Sequence, residues 1–208
     1  MPRIKKLPES DVRIAEYGSL IAQRREALRI TCAQLLADEP SLVWEIGCGH
    51  GHFLTAYAAA HPDRLCIGID LVPERIARAN RKRERAKLSR AHFFRAEARD
   101  FLAALPEHAR FSAIYILFPD PWPKRRHHKH RIMQAGFMQE IAARAGEGAR
   151  LFFRTDHQPY FADVRSALDT HPAWRLVDEP WPFEMTTVFQ QRAPVHHSLV
   201  AARKPSSP

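Results

Sequence analysis

Short apolar runs alternate with helical patterns along most of the chain, and this alternation constrains the fold more than any other feature. Runs of strand length lie at residues 42–46, 65–69, 91–95, 113–117 and 150–154. Apolar residues at helical spacing lie between these runs, at residues 52–60, 73–87, 98–105 and 132–145. A chain of alternating strands and helices typically forms a parallel sheet covered by helices on both faces. The sequence therefore predicts an α/β protein.

The remaining segments predict one domain with two loose ends. The helical spacing of apolar residues predicts an N-terminal helix at residues 14–37, after a flexible basic arm at residues 1–12. Two further elements are expected near the C-terminus, a helix at residues 160–168 and a strand at residues 197–202. The tail at residues 204–208 is expected to be disordered. A chain of 208 residues with 45% apolar content can bury one core, which we place in a single domain at residues 13–203.

The excess of basic residues indicates an anionic partner. The chain has 32 Lys and Arg against 23 Asp and Glu, which gives a formal net charge of +9. Such a charge is informative about partners and not about the fold. A nucleic acid is the partner that it favours most.

The cysteines and the apolar runs indicate the cell compartment. Cys32, Cys48 and Cys66 form no CxxC pair and no even set, which is typical of free thiols in a reducing compartment. No apolar run approaches the roughly 18 residues of a membrane-spanning helix, and the first residues lack the apolar core of a signal peptide. We therefore expect a cytoplasmic protein that does not enter a membrane.

A glycine loop follows the first predicted strand. Gly47, Gly49 and Gly51 are spaced GxGxG, and Glu45 stands two residues before the first of them. A carboxylate at this place would repel a pyrophosphate, but it would attract a ligand that carries an ammonium group and a sulfonium. Asp70 ends the second strand, where an acid can accept hydrogen bonds from two ribose hydroxyls. The alternative is that both acids cap helices or face solvent.

Residues 45–51 resemble the S-adenosylmethionine loop of Rossmann-like methyltransferases. This resemblance implies a mostly parallel seven-stranded sheet with helices on both faces, and S-adenosylmethionine as the cofactor. Ligands of such sheets bind at the carboxyl ends of the strands. The cofactor-binding residues that we expect there are Glu45, Gly47, Gly49, Gly51, Asp70, Glu97, Ala98 and Asp120.

The segment that follows the fourth strand combines a rigid acid with a dense run of cations. Residues 118–131 read FPDPWPKRRHHKHR, with Asp120 held among three prolines that each fix their own φ angle. The basic part, residues 124–131, could contact phosphates and so give affinity without base specificity. The alternative is a proline-stiffened loop followed by a solvated run of charges. Trp122 could stack on an unpaired base or fill the space between the loop and the sheet.

This segment closely resembles the signature of the tRNA (guanine-N7)-methyltransferases, in which FPDPWPK runs into a basic segment rich in His, Arg and Lys. The resemblance extends from about residue 42 to residue 192. It implies methyl transfer to N7 of a guanine in the tRNA variable loop, with Asp120 as the catalytic acid between cofactor and guanine. The substrate-binding residues that we expect are Lys124, Arg125, Arg126, Asp156, Thr187 and Gln190.

Two positions depart from the pattern of that family. Val188 and Gln190 stand where the family carries Lys and Glu, so a cation and a carboxylate are missing. A neutral acceptor is weaker than a charged one. Three functions therefore stay open: guanine N7 methylation, methylation of another RNA position or exocyclic amine, and tRNA binding with weak or no catalysis. No metal-ligand spacing is present among the histidines, and we expect no metal.

Overall fold

The structure is a computed structural model that describes residues 9–185 and 195–205. The strands within these ranges are β1 (Ser41–Ile46), β2 (Cys66–Asp70), β3 (Ala91–Arg95), β4 (Arg110–Leu117), β5 (Ala145–Thr155), β6 (Trp174–Val177) and β7 (His197–Arg203). The α-helices are α1 (Glu9–Leu35), α2 (His52–Ala60), α3 (Pro73–Arg85), α4 (Ala98–Ala104), α5 (Ala135–Arg144) and α6 (Gln158–Asp169).

The strands form one sheet in the order β3-β2-β1-β4-β5-β7-β6. The first five strands are parallel, and β7 runs antiparallel to both of its neighbours. Ile46 at the end of β1 pairs with Ile69 of β2 on one side and with Ile116 of β4 on the other. The carboxyl ends of the central strands therefore meet at one edge. The predicted α/β fold with a mostly parallel seven-stranded sheet is confirmed.

A hydrophobic core lies on each face of the sheet. Alternate β1 side chains point to opposite faces, so Trp44 enters one core and Val43 enters the other. The first core contains buried residues of α1, α4, α5 and α6, and Trp44 stacks there on Phe111 with ring centroids 4.9 Å apart. The second contains buried residues of α2 and α3 and the stacked rings of Tyr115 and Phe152. Truncation of a buried aromatic such as Trp44 to Ala costs about 3–5 kcal/mol.

The central elements lie close to their predicted positions, and the edges of the fold differ more. Strand β6 was not predicted, because four residues at the sheet's edge carry too short a pattern. It is held by antiparallel pairing with β7, for example of Trp174 with Arg203. Helix α1 begins at Glu9, so residues 9–12 are helical and do not belong to a loose arm. Residues 1–8 lie outside the described part of the chain.

Two other boundaries shift for local reasons. Helix α5 begins at Ala135 and not at residue 132, because Gln134 is extended and the Met133 N–H donates to the Tyr160 hydroxyl at 3.1 Å. Lys204, placed by the prediction in the disordered tail, donates its backbone N–H to the Ala173 carbonyl at 2.9 Å. None of the helices in the described ranges is both long and apolar enough to cross a membrane.

Candidate active site

The loop between β1 and α2 is a tight turn built on three glycines. Gly47, Gly49 and Gly51 have positive φ angles of 74°, 54° and 68°, a region that side chains rarely adopt. A Cβ on Gly51 would lie 2.7 Å from the Cβ of Ala79, so this glycine lets the loop pack on α3. A Cβ on Gly47 or Gly49 would have no described atom within 4 Å. These two positions therefore border open space that a ligand can occupy.

Asp70, at the end of β2, ties this loop to the next one. Its Oδ2 accepts a hydrogen bond from the Gly49 N–H at 3.0 Å, and its Oδ1 accepts one from the Val72 N–H at 2.8 Å. The Arg75 guanidinium lies 3.4 Å from Oδ2. A carboxylate offers about four acceptor directions, so these contacts leave capacity for a ligand hydroxyl. The structure thus adds an organising role that the sequence did not reveal.

Glu45 is a buried acid with an unsatisfied oxygen. The residue is 3% exposed, and its Oε2 has no hydrogen-bond partner among the described residues. Burial raises the pKa of this carboxyl to about 8; a backbone hydrogen bond from Leu54 opposes the shift and the Asp70 charge adds to it. A buried acceptor without a donor costs free energy, and a cationic donor from a ligand would satisfy it. The ammonium group of S-adenosylmethionine fits this requirement.

Glu97 caps a helix at the same edge of the sheet. Its Oε2 accepts hydrogen bonds from the backbone N–H groups of Arg99 at 2.8 Å and Asp100 at 3.3 Å, which stabilises the first turn of α4. Ala98, the first residue of that helix, is buried. Glu97 itself is exposed. It therefore lies on the surface of the same edge, after the third strand.

The segment after β4 has a strained backbone on either side of its acid. Phe118 and Trp122 have positive φ angles of 51° and 44°, which cost roughly 1–2 kcal/mol for a residue with a side chain. The Phe118 N–H donates to the Arg154 carbonyl of β5 at 2.7 Å, which fixes the start of the loop. Asp120 lies between them and is exposed. Strain of this kind is common at functional sites.

The prediction that Arg131 contacts a phosphate is wrong. The residue is 4% exposed, and its guanidinium is already engaged by groups of the protein. Its Nε donates to the Pro121 carbonyl at 2.7 Å, and its Nη1 lies 2.5 Å from Asp163 Oδ2. Its guanidinium also lies over the Tyr160 ring, 4.6 Å from the centroid. Arg131 therefore holds the proline loop onto α6.

The rest of the basic segment is on the surface. Lys124, Arg125 and Arg126 are exposed, and residues Arg125–His130 form a 3-10 helix. Within the described ranges these three cations form no ion pair with an acid. They are therefore available to an anionic partner.

Trp122 does not fill the space between the loop and the sheet. It is 37% exposed and belongs to neither hydrophobic core. Its ring packs on those of His127 and His130, with centroids 5.8 and 5.1 Å apart. Part of the ring remains open to an aromatic partner.

A buried arginine organises the carboxyl end of β5. The Arg154 guanidinium forms two hydrogen bonds with the Glu184 carboxylate, at 2.7 and 2.9 Å, and its Nε donates to Ser198 Oγ at 2.8 Å. The same group lies 4.0 Å from the ring centroid of Trp181. The segment that leads to residue 186 is therefore held against β5. Asp156, two residues beyond Arg154, is exposed.

Two predicted substrate residues, Thr187 and Gln190, lie outside the described residues. The chain on both sides of residues 186–194 is anchored at the predicted site. Glu184 pairs with Arg154 on one side, and on the other the His196 ring contacts the Phe118 ring, with centroids 5.8 Å apart. Neither contact could be found from the sequence, because the partners are far apart in the chain.

Cys48 and the possibility of a metal site were the remaining candidates for chemistry among the described residues. Cys48 is buried in the glycine loop, and burial, with the charges of Glu45 and Asp70, raises the pKa of its thiol well above the usual value. A neutral thiol is a poor nucleophile. In the part of the chain that the structure describes, no group of three or more His, Cys, Asp or Glu side chains could hold a metal ion.

Comparison with known proteins identifies the family. A family model described as "Putative methyltransferase" matches residues 39–196. The tRNA (guanine-N(7)-)-methyltransferase of Geobacillus kaustophilus is 32% identical over 76% of this chain and 73% of its own length. Those of Syntrophotalea carbinolica and Caulobacter sp. are 34% and 36% identical over 67% and 69% of this chain. The matched part of this chain spans 58% and 63% of the length of these last two relatives.

Solved structures agree on the fold. The 16S rRNA (adenine(1408)-N(1))-methyltransferase of Catenulisporales acidiphilia, solved with S-adenosylmethionine, superposes with a TM-score of 0.57 over 86% of this chain and 93% of that one. Sequence identity is 15%, so this likeness concerns the fold alone. With the family model and the relatives taken together, the chain belongs to the tRNA (guanine-N7)-methyltransferase family.

Proposed function

We propose that this protein transfers a methyl group from S-adenosylmethionine to N7 of a guanine in the variable loop of tRNA. The observation that carries the proposal is the Glu45 carboxylate, which is buried beside a glycine loop and has an oxygen without a donor. That arrangement suits a ligand with a cationic nitrogen. Membership of the family supports S-adenosylmethionine as this ligand.

Each acid at the sheet edge has a place in this proposal. Glu45 would accept a hydrogen bond from the ammonium group, and Asp70 would accept one from a ribose hydroxyl while it keeps its bond to the Gly49 N–H. Gly47 and Gly49 leave open space for the ligand. Glu97 and Ala98 follow the third strand, at the level expected for the adenine.

The proposed chemistry requires orientation more than acid–base catalysis. S-adenosylmethionine supplies the methyl carbon: the N7 lone pair forms the new C–N bond while the C–S bond breaks and sulfur keeps the electron pair. Guanine N7 carries no proton, so no base has to remove one. The purine gains positive charge during transfer, and the Asp120 carboxylate would stabilise that charge and orient the base.

The cationic residues after Asp120 would bind the tRNA backbone. Lys124, Arg125 and Arg126 are exposed and would contact phosphates. The guanine itself would be recognised by Asp156, Thr187 and Gln190, which the family resemblance implies. A reaction on tRNA supports a cytoplasmic location.

Val188 and Gln190 favour a second candidate, a tRNA-binding protein with little or no catalysis. Incorporation of labelled methyl into an unmodified tRNA transcript distinguishes the two. Chemical cleavage of the product RNA at 7-methylguanosine then locates the modified base. We expect one cleavage in the variable loop. Saturable S-adenosylmethionine binding without incorporation would support the second candidate, and a methyl on another atom would support a different RNA methyltransferase.

A further inference from the structure

A cavity of about 340 Å³ beside the glycine loop is lined entirely by basic or histidine side chains. It lies between the start of α2 and the outer face of α3. The lining residues are His50, His52, Arg78, Arg81, Lys82 and Arg85. No acid and no apolar side chain lines it. It shares no lining residue with the basic segment after β4 or with the proposed catalytic residues.

The arginines of this cavity form one continuous face of α3. Arg81 lies three residues after Arg78 and Arg85 lies four residues after Arg81, so the three arginines lie on the same side of the helix. All three are exposed, and none pairs with an acid of the described ranges. Elsewhere on the same helix the arginines are paired, Arg75 with Asp70 and Arg83 with Glu84. The unpaired charge is therefore concentrated on the cavity side.

Lys82 joins this face to the glycine loop. Its Nζ donates to the His50 carbonyl at 2.8 Å and lies 2.8 Å from His52 Nε2. Burial and the charges of Arg78 and Arg85 lower the pKa of Lys82, which indicates uncompensated repulsion among the cations. An anion in the cavity would relieve that repulsion.

We propose that the face formed by Arg78, Arg81 and Arg85, with His52 beside it, binds successive phosphates of the tRNA backbone. The inference rests on the proposed function and extends it to a second contact surface. The rise from Arg78 to Arg85 is about 10 Å along the helix axis, which suits a row of phosphates better than one small anion. Every lining residue can carry a positive charge or donate hydrogen bonds, which favours a polyanion over the mostly apolar pocket typical of small-molecule sites. Contact with the backbone alone gives affinity without sequence preference.

The test compares two triple variants of the full chain that lose the same charge. The first is R78Q/R81Q/R85Q, which keeps Lys82 and therefore the glycine loop. The control is R83Q/R165Q/R175Q, in which Arg83 lies on the paired side of α3 and the other two lie on α6 and β6. Binding of an unmodified tRNA transcript is measured at several salt concentrations, and S-adenosylmethionine binding is measured for each variant.

We expect the first variant to bind tRNA at least about tenfold more weakly. The slope of the logarithm of the binding constant against the logarithm of the salt concentration (the salt slope) should become about two units less steep, since each phosphate contact contributes roughly 0.7–0.9 to it. Its S-adenosylmethionine affinity should stay within about twofold of wild type. The control should bind tRNA within about threefold of wild type. Equal weakening in both variants, or an unchanged salt slope in the first, overturns the proposed surface.

Failure of this surface can be distinguished from failure of the proposed function. Wild-type protein that binds no tRNA would contradict both. Normal methyl transfer by the first variant at low tRNA concentration would contradict this surface alone.

Discussion

Arg154 and Glu184 form a bidentate ion pair at the carboxyl end of β5, with N–O distances of 2.7 and 2.9 Å. The Arg154 side chain is 5% exposed, whereas that of Glu184 is 59% exposed. The pair holds the chain that leads to Thr187 and Gln190, which are proposed to bind the guanine. A buried guanidinium thus holds the chain just before the residues that are proposed to bind the guanine.

Replacement of Glu184 by Gln should weaken this anchor without removing side-chain volume. We expect the free energy of unfolding to fall by about 1–2 kcal/mol, because a charged hydrogen bond becomes a neutral one. The kcat/KM for tRNA should fall at least about tenfold, while S-adenosylmethionine affinity stays the same. Denaturant unfolding and steady-state methyl transfer measure the two effects. A variant with lower stability and full activity would show that the pair is structural only.

The raised pKa of Glu45 predicts how stability depends on pH. Below the ordinary value of 4.5 the carboxyl is protonated in both the folded and the unfolded chain. Between that value and about 8 it is ionised in the unfolded chain and protonated in the folded one, so stability falls as the pH rises through this window. Each unit of pKa difference corresponds to about 1.4 kcal/mol. The Glu45→Gln variant should therefore be more stable than wild type at pH 8, by a few kcal/mol, and similar to it at pH 4.

The same carboxyl should release a proton when the cofactor binds. An ammonium group favours the ionised form of Glu45, so binding at pH 7 should release up to about one proton. Calorimetry in buffers of different ionisation enthalpy measures this release. Glu45→Gln should bind S-adenosylmethionine at least about tenfold more weakly and release no proton. If wild type and variant release the same number of protons, Glu45 does not hold the ammonium group.

The basic segment after β4 should divide into two classes of residue. The triple variant K124Q/R125Q/R126Q should bind tRNA more weakly and with a lower salt slope, because three exposed phosphate contacts are lost. Arg131→Gln should instead lower stability by several kcal/mol, because the buried guanidinium holds Pro121 and Asp163. Salt titrations of tRNA binding and thermal unfolding separate the two effects. A lower salt slope in Arg131→Gln with normal stability would reverse this assignment.

Asp120→Asn should remove turnover and leave the fold intact. The residue is exposed, so the free energy of unfolding should change by less than about 0.5 kcal/mol. The single-turnover rate of methyl transfer should fall at least about 100-fold, because a neutral amide stabilises the positive purine poorly. The tRNA affinity of this variant serves as the control and should stay within about threefold of wild type. A rate above half of the wild-type value would exclude the proposed role.

The sequence predicted the fold, and it located the proposed site residues relative to the strands, because both follow local patterns. Apolar runs and helical spacing located the five parallel strands and placed Glu45, Asp70 and Asp120 at one edge. Contacts between residues distant in the chain left no such pattern. The pairing of Arg154 with Glu184 and the burial of Arg131 depend on how the elements pack. All cations of the basic run look alike in the sequence, although one of them, Arg131, is buried and stabilises the fold.

The most direct test of the central claim uses two tRNA transcripts that differ only in the atom at position 7 of their guanines. One contains guanosine and the other contains 7-deazaguanosine, in which N7 is replaced by carbon. With labelled S-adenosylmethionine, we predict methyl incorporation into the first transcript, recovered as 7-methylguanosine, and none into the second. Equal incorporation into both transcripts would contradict transfer to N7.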